Sequence, residues 1–273
     1  MTLKEAYSYS VVFLKNNNVD EYDFKALCLV CSLCGIKNSD YAAHINDEVI
    51  TSRLAKCLWR LKEGEPLQYV LGKWDFYESE FYVGKGVLIP RPETEELVET
   101  AIKFAKQYKN PIIYDLCAGS GCIGISVAKA VKGATVYCVE KSEDAFAYLL
   151  KNANNVNNVI TVNDDINNDI DLPTADIIIS NPPYIKTGDL QSLQAEVKME
   201  PMLALDGGED GLDFYRIIND KYSKRLKPDG VLLLEIGNEQ GDDIKSVLSG
   251  FKDITVKQDI YKNDRIVIAK DLV

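Results

Sequence analysis

The sequence has 273 residues and a formal net charge of −11, from 31 basic and 42 acidic side chains. A chain of this length can form one large domain or two smaller ones. Proteins that grip long nucleic acids usually carry a basic stripe that neutralises phosphates. The acidic balance therefore argues against a nucleic-acid partner and favours a small molecule or another protein. No apolar run reaches about 18 residues, so no membrane span is predicted.

The start of the chain and its cysteines bear on location. No apolar stretch follows Met1–Glu5, so we expect no signal peptide. The seven cysteines are an odd number scattered through apolar segments, which suits reduced thiols. We therefore expect a cytoplasmic protein.

The first part of the chain is predicted to be helical. Apolar residues such as Leu3, Ala6 and Val11 fall at helical spacing and predict a small helical domain over residues 1–72. A longer helix within it is predicted over residues 47–62.

Three cysteines of this region, Cys28, Cys31 and Cys34, resemble half of a metal-binding motif. Their spacing also places them along one face of an apolar helix, and no histidine or fourth cysteine nearby completes a ligand set. We therefore predict core packing for these thiols and no metal site.

A hairpin or extended linker is predicted over residues 73–92, because Trp74–Val83 is aromatic and partly alternating. The following loop, Val87–Glu96, contains two prolines and leads into a helix that ends near Lys106. Residues 93–273 are predicted to form the second domain.

Strands and helices alternate from residue 111 onward. Strands are predicted at 112–116, 134–139, 159–163, 175–180, 231–236, 254–260 and 265–270. Helices are predicted at 122–131, 142–154, 213–226 and 239–249. This alternation is typical of a doubly wound α/β fold with a mostly parallel sheet, here of seven strands.

A glycine-rich turn, Asp115–Gly124, follows the first strand of that sheet and opens a helix. Gly119, Gly121 and Gly124 fit the G-x-G-x-x-G spacing, in which the backbone approaches a ligand closely and helix N–H groups face it. The same spacing occurs in purely structural tight turns. It also does not separate a dinucleotide from S-adenosylmethionine.

Acidic residues end the next two predicted strands. Glu140 follows Gly119 by 21 residues, a separation at which an acid can hold ribose hydroxyls. Asp164-Asp165-Ile166 ends the third strand, where an acid can accept from the adenine amine. With the glycine turn, these residues predict an adenosine pocket.

Asn181-Pro182-Pro183-Tyr184 follows the buried run Ala175–Ser180. The prolines lack N–H donors, so strand pairing ends here. The Asn181 side-chain carbonyl and the Pro182 backbone carbonyl can accept both N–H bonds of a planar amide and turn its lone pair toward a methyl donor. The Tyr184 ring can stack on that amide. The structural alternative is a proline-rich turn that only caps a strand.

With these motifs the chain resembles the release factor glutamine methyltransferases, the HemK/PrmC family, over essentially its whole length. The matching blocks are Glu65–Gly72, Val87–Glu95, Asp115–Gly124, Ser180–Ile185, Gly208–Tyr215, Glu235–Gly237 and Asn263–Arg265. Nucleic-acid amino methyltransferases share the Asn-Pro-Pro-Tyr motif but not the block at Leu88–Glu95.

The resemblance implies a Rossmann-like class I S-adenosylmethionine-dependent methyltransferase domain after the helical bundle. The cofactor residues it implies are Cys117, Ala118, Gly119, Ser120 and Gly121 along the methionine portion, Glu140 at the ribose, Asp165 and Ile166 at the adenine, and Asn181. The substrate residues it implies are Asn181, Pro182, Pro183 and Tyr184, with Asn181, Pro182 and Tyr184 catalytic. An aromatic residue is common in the family where Ile166 stands.

The implied reaction is methylation of the glutamine amide in the Gly-Gly-Gln motif of class I peptide chain release factors, with S-adenosyl-L-homocysteine as the second product. The N-terminal helices would receive part of the release factor. The main alternative is an amino-group methyltransferase acting on ribosomal RNA or DNA, and a further one is a non-catalytic adenosyl-binding protein. Substrate-binding and loop-anchoring roles are both open for Arg91.

Overall fold

The computed structural model describes residues 1–259 and 261–273, and these divide into two compact units. The helical unit comprises Met1–Lys73 with Gln194–Met199, and the sheet unit comprises Trp74–Leu193 with Glu200–Val273. Among the described residues, no helix combines the length and the apolar character needed to cross a membrane.

Short amphipathic helices form the helical unit. They are α1 (Leu3–Asn16), α2 (Tyr22–Cys34), α3 (Thr51–Lys62) and α4 (Leu67–Leu71). Thr2 and Glu5 form a capping box at the start of α1, in which each side chain accepts from the backbone N–H of the other residue. Cys28 and Cys31 are buried in α2, as their spacing predicts.

The helix predicted over residues 47–62 begins only at Thr51. The N–H of Leu3 donates to the carbonyl of Asp47 at 2.7 Å, and the N–H of Val49 donates to the carbonyl of Met1 at 2.9 Å. These bonds pair residues 47–49 with the start of the chain in an extended conformation. The helix therefore starts after them.

A buried lysine holds Gln194–Met199 in the helical unit. Lys25 of α2 has a side chain that is 5% exposed, and its Nζ forms an ion pair with Glu196. A buried ammonium group needs an anionic partner to offset its lost hydration. The pair accounts for the grouping of this segment with helices that lie more than a hundred residues away in sequence.

The sheet unit alternates strands and helices. The strands are β1 (Lys73–Phe76), β2 (Ser79–Tyr82), β3 (Ile112–Leu116), β4 (Thr135–Glu140), β5 (Val159–Asn163), β6 (Ala175–Ser180), β7 (Leu226–Glu235), β8 (Phe251–Gln258) and β9 (Asp264–Leu272). The helices are α5 (Glu95–Ala105), α6 (Cys122–Ala130), α7 (Glu143–Ala153), α8 (Asp213–Ile217) and α9 (Gly241–Val247).

β1 and β2 form a hairpin, and the described residues of the other strands form a seven-stranded sheet with the order β5-β4-β3-β6-β7-β9-β8. The strands from β5 to β7 are parallel, and β9 is antiparallel to both of its neighbours. The predicted mostly parallel sheet is therefore confirmed. Both faces are buried: Ile113 packs into one core and the adjacent Tyr114 into the other.

The strand order places the functional motifs at one edge. From β3 the chain moves outward through β4 and β5, and then crosses to β6 on the other side of β3. The carboxyl ends of β3 and β6, followed by Cys117 and Asn181, therefore lie side by side. In open α/β sheets this reversal point is where ligands bind.

Hydrogen bonding in the segment predicted as one helix over residues 213–226 is not uniform. α8 is followed by a π-helical turn at Ile218–Tyr222 and a 3-10 turn at Ser223–Arg225. Tyr215 and Tyr222, seven residues apart, are both buried. Apolar spacing does not reveal which backbone hydrogen bonds form.

The last strands also differ from their predicted bounds. β7 begins at Leu226 and not at residue 231, because Leu226 pairs with Ala175 across a register shift. Pro228 and Gly230 interrupt the apolar pattern in this stretch, which hides the start of the strand from the sequence. β8 covers Phe251–Gln258, whereas the predicted strand ended at residue 260, which lies outside the described residues.

Candidate active site

A cavity opens at the carboxyl edge of the sheet, with an empty volume of about 910 Å³ that includes open solvent at its mouth. Its lining contains most of the residues predicted from the sequence, namely Cys117, Ala118, Gly119, Ser120, Glu140, Asp165, Ile166, Asn181 and Pro183. Gly121, Pro182 and Tyr184 are not among the described residues that line it. The cavity thus brings together residues from the ends of β3, β4, β5 and β6.

Two glycines of the turn after β3 serve different structural purposes. Gly121 has φ +78°, and a Cβ there would lie 2.4 Å from Cδ1 of Leu149, so this glycine lets α6 pack against α7. Gly119 has φ +55°, and a Cβ there would meet nothing closer than 4.0 Å. Gly119 therefore presents bare backbone to the cavity, where a ligand can approach closely.

Glu140 links the glycine turn to the start of α7. Its Oε2 accepts from the N–H of Gly119 at 2.7 Å, and its Oε1 accepts from the N–H of Ser142 at 2.7 Å. Burial raises the pKa of Glu140, and these backbone hydrogen bonds oppose that rise. Each carboxylate oxygen keeps lone-pair capacity for a hydroxyl in the cavity.

Asp165 and Ile166 form the wall beyond Glu140. Asp165 Oδ2 lies 2.7 Å from Nζ of Lys141, and Asp165 Oδ1 accepts from the N–H of Asn167 at 2.9 Å. Burial acts to raise the pKa of Asp165, but the bonds from Lys141 and Asn167 outweigh it and hold the pKa below its usual value. Ile166 is buried and supplies apolar surface.

Asn181 and Pro183 lie on the cavity wall after β6. The Asn181 amide donates from Nδ2 to Oγ1 of Thr94 at 3.2 Å. Two consecutive prolines restrict the backbone that carries the Pro182 carbonyl. The motif therefore combines a side-chain acceptor with a conformationally restricted backbone acceptor.

Tyr184 is held mainly through its backbone. Its carbonyl accepts from Nε2 of Gln240 at 3.2 Å, and a Cβ on Gly207 would lie 2.7 Å from the Tyr184 Cα. Burial raises the pKa of Tyr184 to about 12, so its hydroxyl is neutral at physiological pH. The packing restrains the chain immediately after Pro183.

Apart from the two roles left open for Arg91, the loop before α5 was not among the predicted site residues. Leu88, Pro90, Arg91 and Thr94 all line the cavity. Arg91 forms an ion pair with Glu200, which supports the anchoring role rather than substrate binding. The two prolines and the family-like block at Val87–Glu95 were the available signals, but neither shows which side chain faces the cavity.

The lining fits an adenosyl ligand. Apolar surface from Ala118 and Ile166 can flank a base, while the Glu140 carboxylate can accept from hydroxyls and the backbone at Gly119 can be approached closely. Among the described residues, no group of three or more His, Cys, Asp or Glu side chains could hold a metal ion. The arrangement suits binding and orientation of a group-transfer cofactor.

Two family models match the chain: a PrmC N-terminal domain over residues 5–72 and a methyltransferase small domain over residues 95–200. The chain is 42% identical to the release factor glutamine methyltransferase of Thermodesulfovibrio yellowstonii over 233 residues, which covers 83% of this chain and 81% of that one. It is 34% identical to the release factor glutamine methyltransferase of Geobacter sulfurreducens, covering 97% of this chain and 95% of that one.

Solved structures agree on the fold. The catalytic domain of hMettl16, crystallised with a MAT2A 3′UTR hairpin, superposes with a TM-score of 0.58 at 14% identity over 81% of this chain and 82% of that one. At such low identity the likeness concerns the fold alone. The identity and coverage of the relatives named above are decisive for the family: this chain belongs to the release factor glutamine methyltransferases.

Proposed function

We propose that this protein transfers a methyl group from S-adenosyl-L-methionine to the side-chain amide nitrogen of the glutamine in the Gly-Gly-Gln motif of class I peptide chain release factors. The observation that carries the proposal is the position of Asn181 on the wall of the cavity, directly before two prolines, in a chain of this family. Such modification acts on translation termination, and we place it in the cytoplasm.

The cofactor half of the site is assigned to the lining of the cavity. S-adenosylmethionine supplies, when bound, an electrophilic methyl group on a sulfonium. We assign the methionine portion to Cys117–Gly121 and the ribose to Glu140, whose oxygens retain acceptor capacity. The adenine is assigned to Asp165 and Ile166, a carboxylate beside apolar surface.

The substrate half of the site activates a poor nucleophile, the glutamine amide nitrogen. An amide nitrogen is weakly nucleophilic because its lone pair is delocalised into the carbonyl. Asn181 Oδ1 and the Pro182 carbonyl accept its two N–H bonds, which orients the nitrogen and favours developing tetrahedral character. Pro183 keeps the Pro182 carbonyl in place. The methylated nitrogen becomes acidic, so its proton can leave to water without a strong base.

Tyr184 completes the proposed substrate residues. An aromatic ring at this position can stack on the planar amide. Its ring lies outside the cavity lining, and its backbone is held by Gln240 and crowded by Gly207. This packing supports a role for Tyr184 in holding the Pro182–Pro183 segment. We further propose that the Tyr184 ring stacks on the substrate amide.

The helical unit is proposed to receive part of the release factor. We place the recognition domain at residues 1–72, the hairpin and linker at 73–92, and the cofactor-binding domain at 93–273. An acidic chain favours a protein partner over a phosphate backbone, and no binding to nucleic acid or membrane is proposed.

The proposal is tested by incubating the purified protein with S-adenosylmethionine and a class I release factor, followed by peptide mass spectrometry. One methyl group is expected on the Gly-Gly-Gln glutamine, and none on a release factor that carries Gly-Gly-Asn in its place. A parallel incubation with ribosomal RNA tests the main alternative. Methyl transfer to RNA with an unmodified release factor would overturn the proposal.

A further inference from the structure

The orientation of the Asn181 amide depends on a residue that is not part of its motif. An asparagine amide can place either its oxygen or its NH2 group toward a ligand. The proposed reaction needs the oxygen on the substrate side, because glutamine presents N–H donors. Some neighbour must therefore hold the Asn181 NH2 group on the other side.

Thr94 is that neighbour. Its Oγ1 lies 3.2 Å from Nδ2 of Asn181, although the two residues are 87 positions apart in the chain. Thr94 is 2% exposed and lies at the junction between a short 3-10 turn and α5. A buried hydroxyl at a helix start has few competing partners, so its contact with Asn181 is well defined.

In this contact, Nδ2 of Asn181 is the donor and Oγ1 of Thr94 is the acceptor. The other polar atom of the amide, Oδ1, can only accept a hydrogen bond. With its NH2 group held by Thr94, Asn181 offers Oδ1 to a donor in the cavity, whose wall includes both residues.

We propose that Thr94 is a positioning residue that fixes the Asn181 amide with Oδ1 toward the substrate. The proposal rests on the function proposed above, since only a donor substrate needs that orientation. Without the Thr94 hydroxyl, the amide can turn its NH2 group toward the substrate, where it repels the glutamine N–H bonds. Thr94 lines the same cavity as the cofactor half of the site but is not among the residues assigned to the cofactor, so binding of S-adenosylmethionine is expected to be retained.

The kinetic test compares Thr94→Val, which removes the hydroxyl at nearly constant shape, with Thr94→Ser, which keeps it. Thr94→Val is expected to lower kcat by about 10- to 100-fold, as small misplacements of positioning groups do, with KM for the release factor nearly unchanged. Thr94→Ser should stay close to the parent. A parent-like kcat in Thr94→Val, or equal losses in both variants, would overturn the proposal.

Thr100→Val is the matched control. Thr100 belongs to α5 and is also buried, but its hydroxyl donates to the carbonyl of Glu96 and not to the site. It should keep the parental kcat.

A double-mutant cycle separates positioning from general packing. If Thr94 acts through Asn181, Thr94→Val should have no further effect on the residual rate of Asn181→Ala. A further loss of the same size would contradict the proposal.

A readout without substrate keeps this inference separate from the proposed function. The side-chain NH2 resonances of Asn181, assigned in ¹⁵N-asparagine-labelled protein by their loss in Asn181→Ala, should move in Thr94→Val and much less in Thr94→Ser. Unchanged resonances in Thr94→Val would overturn the positioning role even if the release factor is methylated. Moved resonances with no methylation of the release factor would instead contradict the proposed function.

Discussion

Arg91 and Glu200 join two loops that border the cavity: Nη2 of Arg91 lies 2.5 Å from Oε1 of Glu200, whose side chain is 2% exposed. The second oxygen of Glu200 accepts from the N–H of Ile89 at 2.9 Å. Glu200 therefore holds the loop before α5 at two points. That loop carries Thr94, so the ion pair supports the same wall of the site.

We expect Arg91→Met to destabilise the protein, because it leaves the buried Glu200 carboxylate with one hydrogen-bond donor. The free energy of unfolding should fall by about 2 kcal/mol in chemical denaturation. Arg216→Met is the control: Arg216 pairs with Asp210, and both side chains are largely exposed. Exposed pairs contribute less than about 1 kcal/mol, so equal losses in the two variants would contradict this account of Glu200.

Cys117 adopts φ +60°, a conformation that favours glycine. A side chain in the left-handed region costs about 1–2 kcal/mol, and glycine recovers this at the expense of some chain entropy. Cys117→Gly should therefore raise the free energy of unfolding, measured without cofactor, by about 0.5 kcal/mol. Cys117→Ala removes the thiol but keeps the strain, so an equal gain in both variants would show that the backbone is not the cause.

Asp115 gives the protein a pH-dependent stability. Its side chain is fully buried, Oδ2 accepts from the N–H of Gly124 at 2.8 Å, and Oδ1 has no partner among the described residues. Burial raises the pKa of Asp115 from 3.8 to about 7. Its stabilising contribution is therefore fully present below the unfolded pKa and is lost as the pH rises through about 7.

Asp115→Asn removes that titration while keeping an oxygen that can accept from Gly124. As the pH rises from the unfolded pKa of 3.8 to about 7, the free energy of unfolding of the parent should fall relative to that of the variant, and the difference should level off above that pH. Glu235 also has a pKa raised by burial, to about 7, and is present in both proteins, so the difference between them reports Asp115. Parallel pH profiles would contradict the assignment.

The fold could be predicted because its strands are encoded locally. Runs such as Ala175–Ser180 are apolar on both faces, and two prolines mark where pairing stops. The start of β7 was missed, since Pro228 and Gly230 break the apolar pattern there while pairing with β6 continues across a register shift. The local sequence pattern does not encode the pairing between the start of β7 and β6.

The site was predictable only in part, for a similar reason. Glu140 and Asn181 end strands, and parallel strands bring their carboxyl ends to one edge, so their proximity follows from the topology. The partner of Asn181 does not follow from it, because Thr94 lies 87 residues earlier, outside any strand. Likewise, Arg91 gives no local sign of its ion pair with Glu200.

The most direct test of the central claim is the rate of glutamine methylation by Asn181→Ala compared with the parent, measured in single turnovers on a class I release factor. We expect the rate to fall by about 10²- to 10³-fold, the size seen when one preorganised polar contact to a reacting group is removed. The Kd for S-adenosylmethionine should remain close to that of the parent. An unchanged methylation rate in a folded, cofactor-binding Asn181→Ala protein would contradict the claim that Asn181 holds the substrate amide.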